Sequence, residues 1–558
     1  MEEDIEKRKS NIANNLKKKL FSWVKDNYDI VFILVLIAAF IIRFWIFTKT
    51  INQPLWWDEA TYLATAKRWG LGLNITDVWY YRRAFFWPAF CALFFKSGLG
   101  ETGIRLSEVV FSTGIIAVSY FLIRDMFDKK SALLASLGLT FSWVFLFFTG
   151  RPMTEIPSAF FLLLALFFFW KGYVLDKGKK FFCFFAISYA IAVLIRFQHM
   201  MFAIPIILFI FARERMKMFK NKKLWISVGI FLLCLIPFFI LYSMHYGFFL
   251  TDILKHYFGM GDLNGAVSVA ADKGFLDSFS FFLDSPYLLT GKSPGVTGID
   301  KILIVLSLII GSLYFFMNLF LGIDKVFKDE KIQKIFFVFV WIVIPLIILS
   351  RISGLVEQRY VMPILPFLFL MISTFFIKIE EMANKFLKLK KNLAFILLFL
   401  LLIVLLIPNL TWGRDLIDNK LTSYSEIQKA GLWIKENSNP GDIIITSSYP
   451  QISYYSERSI TTFTSKGNPE EKIEMTQEEF KQFVESEKPR YIILYAYQPH
   501  PDWVPSYLQN ESGKWIPVKV YPSQEQPVLI IYELKDFIPE LNNSPSISQN
   551  QTSQNKTN

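Results

Sequence analysis

Long apolar runs recur along the first three quarters of this chain, and they constrain it more than any other feature. Runs of roughly membrane-spanning length fall near 29–48, 104–123, 131–149, 155–172, 181–196, 199–212, 224–243, 301–322, 335–350, 359–377 and 393–410. They predict a polytopic α-helical membrane protein of about eleven spans, the two near 181–212 being short enough to be broken or tilted. Composition agrees: 53% of the 558 residues are hydrophobic and only 19% charged, against about a quarter charged in soluble domains. The net charge of +12 reads as topology and not as a nucleic-acid surface.

Sidedness follows from the loops. Basic residues cluster in 1–27, at Arg124, Lys129 and Lys130, and in 171–180, 213–223, 325–334 and 378–391. With the first span running outward, every cluster falls on the cytoplasmic side, as the positive-inside rule requires. The expected protein is a multi-pass plasma-membrane protein with a cytoplasmic N-terminus. The odd span count puts its C-terminal region outside. N-x-S/T triplets at Asn74, Asn409, Asn510, Asn542, Asn550 and Asn555 all fall in expected outer segments.

The domain organisation expected is a basic N-terminus over 1–27, a transmembrane catalytic domain over 28–410, an outer soluble α/β domain over 411–538 and a disordered polar tail over 539–558. Two large outer loops interrupt the membrane domain. One, 49–103, holds amphipathic stretches near 58–70 and 85–97. The other, 244–300, is long enough for a lid or substrate loop. In the soluble domain, 425–437 and 477–487 read as helices, and 443–445, 490–495, 518–521 and 528–532 as strands.

Chemistry concentrates at the outer ends of the spans. Asp58 and Glu59 stand in Gln53-Pro54-Leu55-Trp56-Trp57-Asp58-Glu59-Ala60-Thr61-Tyr62. Two acids among tryptophans at a membrane surface are costly to desolvate. Arg82, Arg83, Arg151, Glu155, Arg196, Gln198, His199, Arg351, Glu357, Arg359 and Tyr360 lie on the same expected face. Arginine suits phosphate because its fork is planar and always charged. One such arginine is as readily a snorkelling residue or a salt-bridge partner, such as Arg151 with Glu155. A set of them beside two carboxylates points to an anionic lipid headgroup next to a general base. His199 reads as a packed or hydrogen-bonded residue, not a metal ligand. No P-loop, dinucleotide glycine pattern or catalytic triad is present.

Trp57-Asp58-Glu59-Ala60 with Tyr62, the aromatic stretch Tyr81 to Pro88, Ile104-Arg105-Leu106, Arg151…Glu155, Arg196, and Arg359-Tyr360…Pro363…Pro366 resemble the C-superfamily membrane glycosyltransferases. The resemblance covers about residues 28–410. It is strongest to the dolichyl-phosphate-mannose protein mannosyltransferase and aminoarabinose lipid A transferase group. The chain departs from that group at Arg83-Ala84, where the family has a double proline, and in its C-terminal domain.

The resemblance implies a sugar donor on a dolichyl or undecaprenyl phosphate and an acceptor hydroxyl on a protein, lipid or glycan. It implies membrane lipids as partners and no nucleic acid. Asp58 would be the general base of an inverting transfer. Arg151, Arg196 and Arg359, with Arg82 or Arg83 behind them, would hold the donor phosphate. Tyr62, Glu155, Gln198, His199 and Tyr360 would be accessory. Glu59 would orient the acceptor or bind a divalent metal, and the sequence leaves both open. The alternative reading is a transporter or flippase of lipid-linked sugars. It predicts charged residues deep within spans or paired broken helices in two related halves; here the charges gather at one face and the halves show no similarity, which favours the enzyme.

Overall fold

The structure is a computed structural model that describes residues 26–79, 83–246, 289–290, 298–352, 357–387, 392–464, 474–522 and 527–537. Most of the 244–300 loop, most of the basic N-terminus, the polar tail and Arg82 lie outside the described residues, as does the side chain of Arg351. The chain divides into two compact units, residues 1–73 with 79–423, and residues 74–78 with 424–558.

The first unit is helical. Its helices are α1 (Asn27–Thr50), α2 (Trp57–Leu71), α3 (Phe86–Lys96), α4 (Gly100–Met126), α5 (Lys129–Phe141), α6 (Trp143–Thr149), α7 (Glu155–Phe169), α8 (Lys180–Ile195), α9 (Ala203–Glu214), α10 (Lys222–Tyr246), α11 (Ile299–Leu321), α12 (Glu330–Ile352), α13 (Leu365–Leu387) and α14 (Leu393–Lys420). Among the described residues, nine helical segments are long and apolar enough to cross a membrane, and α5 with α6 makes a tenth as one bent span. The expectation was about eleven, and the run near 181–196 makes the difference. The run near 199–212 gains length from flanking 3₁₀ turns, giving a segment Phe197–Lys220, but α8 stays at 16 residues, short of the roughly 17 that a span needs. The multi-pass membrane character stands.

The bend between α5 and α6 is 52°, at Ser142, whose backbone is extended. A break there strands the last carbonyls of α5 inside the bundle. Arg43 of α1, fully buried, answers them: its guanidinium donates to the carbonyls of Leu139 (3.2 Å) and Thr140 (3.4 Å), and to Ser112 Oγ (2.8 Å). A charge in the middle of the first apolar run thus serves the backbone.

α11 and α13 approach closely at Gly311, where an added Cβ would collide with the Met371 carbonyl. Small residues allow such backbone contact between membrane helices. Gly311→Ala should destabilise the protein by about 1–3 kcal/mol through overpacking, read as a lowered unfolding midpoint in detergent.

α14 runs on to Lys420, past the apolar run, and ties back to the end of α1. Lys49 pairs with Asp418 at 2.8 Å and Gln53 Nε2 donates to the Lys420 carbonyl at 2.8 Å. Asn409 sits inside α14, buried, donating to the Leu289 carbonyl at 2.7 Å. Its triplet is therefore helix interior and not an outer loop.

The second unit contains α15 (Ser425–Asn437), β1 (Ile443–Thr446), α16 (Tyr449–Ser456), β2 (Ser459–Thr461), α17 (Gln477–Glu487), β3 (Tyr491–Tyr495), α18 (Trp503–Asn510), β4 (Trp515–Pro522) and β5 (Pro527–Leu534). The sheet order is β2-β1-β3-β5-β4. β1 pairs parallel with β2 and β3, and β5 pairs antiparallel with β3 and β4. Arg490 clamps the sheet by reaching Asp442 (2.8 Å) and Glu533 (2.9 Å). The helices α16 and α18 and strand β2 were not expected from the sequence. α16 is buried at all eight positions, so it carries no amphipathic period to read.

Candidate active site

The acid pair opens α2. Pro54 keeps the approach extended, and the helix begins after Trp56, whose backbone N–H donates to Glu59 Oε2 at 2.7 Å. Acids in a first turn also suit the helix dipole. The helix stops at Gly72 in the left-handed region (φ 67°), which glycine tolerates without strain.

Helical spacing then sends the two acids to different places. Glu59 is fully buried, and its Oε1 pairs with Arg151 Nη1 at 3.0 Å. The Arg151 guanidinium lies 3.4 Å from the centre of the Trp56 ring, a cation–π contact. Both Glu59 oxygens are thus engaged within the protein, one on the helix N-terminus and one on Arg151. The ion pair suggested within Arg151…Glu155 is not formed. Arg151 takes Glu59, and Glu155 takes two other arginines.

Glu155, at the first turn of α7, is buried between Arg196 and Arg359. Its Oε1 accepts from Arg196 Nη1 and lies 3.1 Å from Arg359 Nη1. Arg196 donates further to Gln198 Oε1 (2.9 Å) and Thr154 Oγ1 (3.3 Å), and stacks over Tyr360, 4.9 Å from the ring centre. Arg359 also pairs with Glu357.

Asp58 faces the other way. Its side chain is 36% exposed, with Arg359 Nη2 at 3.7 Å and Arg83 Nη1 at 3.8 Å. Arg359 therefore bridges Asp58 to Glu155. Tyr62 lies one turn along α2. Burial first, then the Asp58 carboxylate, push its phenol above the ordinary range, so it serves as a neutral hydroxyl.

His199 is buried beside this network. Neither ring nitrogen has a hydrogen-bond partner among the described residues. It lines a cavity of about 10 Å³ with Glu155, Arg196, Gln198, Arg359 and Tyr360, room for about one water. Among the described residues, no three His, Cys, Asp or Glu side chains are grouped to hold a metal. Of the residues singled out from sequence, Asp58, Glu59, Tyr62, Arg83, Arg151, Glu155, Arg196, Gln198, His199, Arg359 and Tyr360 come together here.

Sequence reasoning gave no role in the site to the residue that ties its two halves. Arg105 of α4, 1% exposed, donates to the Gly150 carbonyl (2.7 Å), the Gln53 carbonyl (2.8 Å) and Glu101 (2.7 Å). It fixes the extended segment leading to Asp58 against the loop bearing Arg151. An arginine opening an apolar run was the available signal.

A part-exposed carboxylate between guanidiniums can accept a proton beside an anionic group. Residues 82–241 match the model of the family described as dolichyl-phosphate-mannose-protein mannosyltransferase. ArnT from Cupriavidus metallidurans, solved bound to undecaprenyl phosphate, aligns with a TM-score of 0.60 at 12% identity, covering 92% of this chain and 98% of ArnT. The archaeal oligosaccharyltransferase AglB from Archaeoglobus fulgidus, solved with an inhibitory peptide and a dolichol-phosphate, aligns at 0.53 and 13% identity, covering 84% of this chain and 70% of AglB. No curated protein matches the sequence.

The chain has the fold of these two enzymes, ArnT and AglB. Residues 82–241 match the protein mannosyltransferase family model, in keeping with the resemblance read from the residues.

Proposed function

We propose that this protein is an inverting glycosyltransferase that moves a sugar from a polyprenyl phosphate to an acceptor hydroxyl at the outer membrane face. The observation that carries this reading is Asp58, part-exposed between Arg83 and Arg359 at the rim of a buried ion network. Asp58 takes the proton from the acceptor hydroxyl as its oxygen attacks the anomeric carbon. The departing lipid phosphate needs no proton, only stabilisation of its charge. Arg359 and Arg83 supply that from beside Asp58, with Arg196 behind them. Arg82 belongs to the same proposed set by sequence.

The roles within the set differ. Glu155 holds Arg196 and Arg359 in place, a positioning task. Arg151, stacked on Trp56 and paired with Glu59, shapes the floor of the site. Glu59 keeps α2 and Arg151 together, a positioning task as well. Relatives solved with undecaprenyl phosphate and dolichol-phosphate support a lipid-phosphate donor.

The test is incubation of the purified protein with radiolabelled polyprenyl-phosphate sugars in vesicles, scoring glycosidic product and donor translocation separately. Product formation is expected; translocation without product would favour a flippase. Arg359→Gln should lower transfer by about 10²–10³-fold, the cost of removing one charge-stabilising donor. Transfer at the wild-type rate would remove Arg359 from the set.

A further inference from the structure

A second cavity lies at the far ends of the same spans. α4 passes Arg105 at the candidate site and ends at Met126, about 30 Å away at 1.5 Å per residue. There, between α4, α11, α12 and α13, a cavity of about 570 Å³ is lined by Lys331, Lys334, Lys378, Tyr314, Phe127 and Phe315 among others. That volume suits a small-molecule-sized ligand.

The lining is amphipathic. Phe127 and Phe315 meet edge to face, 5.4 Å between ring centres, and form an apolar wall. α11 turns Leu313, Met317 and Phe320 outward beside it, all about half exposed or more. The polar rim is cationic. Lys331 has no ion pair among the described residues. Lys334 meets Glu330 at 3.2 Å, and Lys378 meets Glu381 at 2.5 Å, with Lys378 also 4.7 Å from the Tyr314 ring centre. Both pairs are part-exposed, of the kind that contributes little and exchanges readily. Of the two carboxylates in the lining, Glu330 is the Lys334 partner. Asp128 is committed to capping α5 through Ser131 N and Oγ.

We propose that this cavity is a binding site for the phosphate headgroup of an anionic phospholipid, with Lys331, Lys334 and Lys378 on the phosphate and the acyl chains along the outward face of α11. Charge complementarity and the apolar exit select a lipid over a soluble anion. These lysines belong to the basic segments 325–334 and 378–391, which the charge pattern expects at the cytoplasmic leaflet, where anionic lipids gather. The proposal does not depend on the glycosyltransferase reading.

The test uses the full-length protein in detergent, titrated with phosphatidylglycerol, phosphatidylcholine or inorganic phosphate, and read by native mass spectrometry and unfolding temperature. Phosphatidylglycerol should bind at least about tenfold tighter than phosphatidylcholine, given the attraction expected per lysine. The variant Lys331→Gln/Lys334→Gln/Lys378→Gln should lose that preference, and Lys331→Gln alone should lose part of it. Equal binding of the two lipids, or a preference kept by the triple variant, would overturn the proposal. So would an equal shift from inorganic phosphate alone, which would mark a soluble-anion site.

Discussion

Asp58→Asn is expected to lower sugar transfer by about 10²–10⁴-fold, the usual contribution of a general base, while leaving the unfolding midpoint near wild type. The fold should tolerate the change because Asp58 is 36% exposed and its guanidinium neighbours stand 3.7 and 3.8 Å away, with no close hydrogen bond at stake among the described residues. Asparagine keeps the shape and removes the basic oxygen. Radiolabelled transfer at saturating donor, with unfolding measured on the same preparations, separates the two effects. Unchanged transfer would end the assignment of Asp58 as base. A collapsed midpoint would mean that its role is structural.

Glu59→Gln should do the opposite, costing stability first. The Glu59–Arg151 pair is buried on both sides, with 1% and 2% of the side chains exposed. Removing one charge breaks a buried ion pair, at a cost of about 3–5 kcal/mol. Glutamine can still accept from the Trp56 backbone, so the loss reports the ion pair and not the helix cap. Glu59→Gln combined with Arg151→Met should recover part of the stability, since both buried charges of the pair are then gone. Chemical unfolding of the single and double variants in detergent checks this. A Glu59→Gln midpoint equal to wild type would refute the structural role given to Glu59.

The contrast between these adjacent acids marks how far the sequence could be read. Apolar runs fixed the positions of the long helices, because burying backbone in lipid leaves few alternatives to a helix. The two amphipathic stretches after α1 became α2 and α3. Short elements were missed: α16, buried all round and so without a period, the edge strand β2, and the eight-residue α18. The bend between α5 and α6 was also hidden, since its cause is an extended Ser142 whose stranded carbonyls Arg43 satisfies from another helix.

Sequence alone determined the membrane class, the chemistry available and its concentration at the ends of the spans, because hydropathy and charge are local properties of a chain. Tertiary structure decided who pairs with whom. Arg151 is four residues from Glu155, yet it binds Glu59, 92 residues away. Glu155 instead joins Arg196 and Arg359. A charge buried within a bundle takes the partner that packing brings within reach, and desolvation makes that choice costly to reverse.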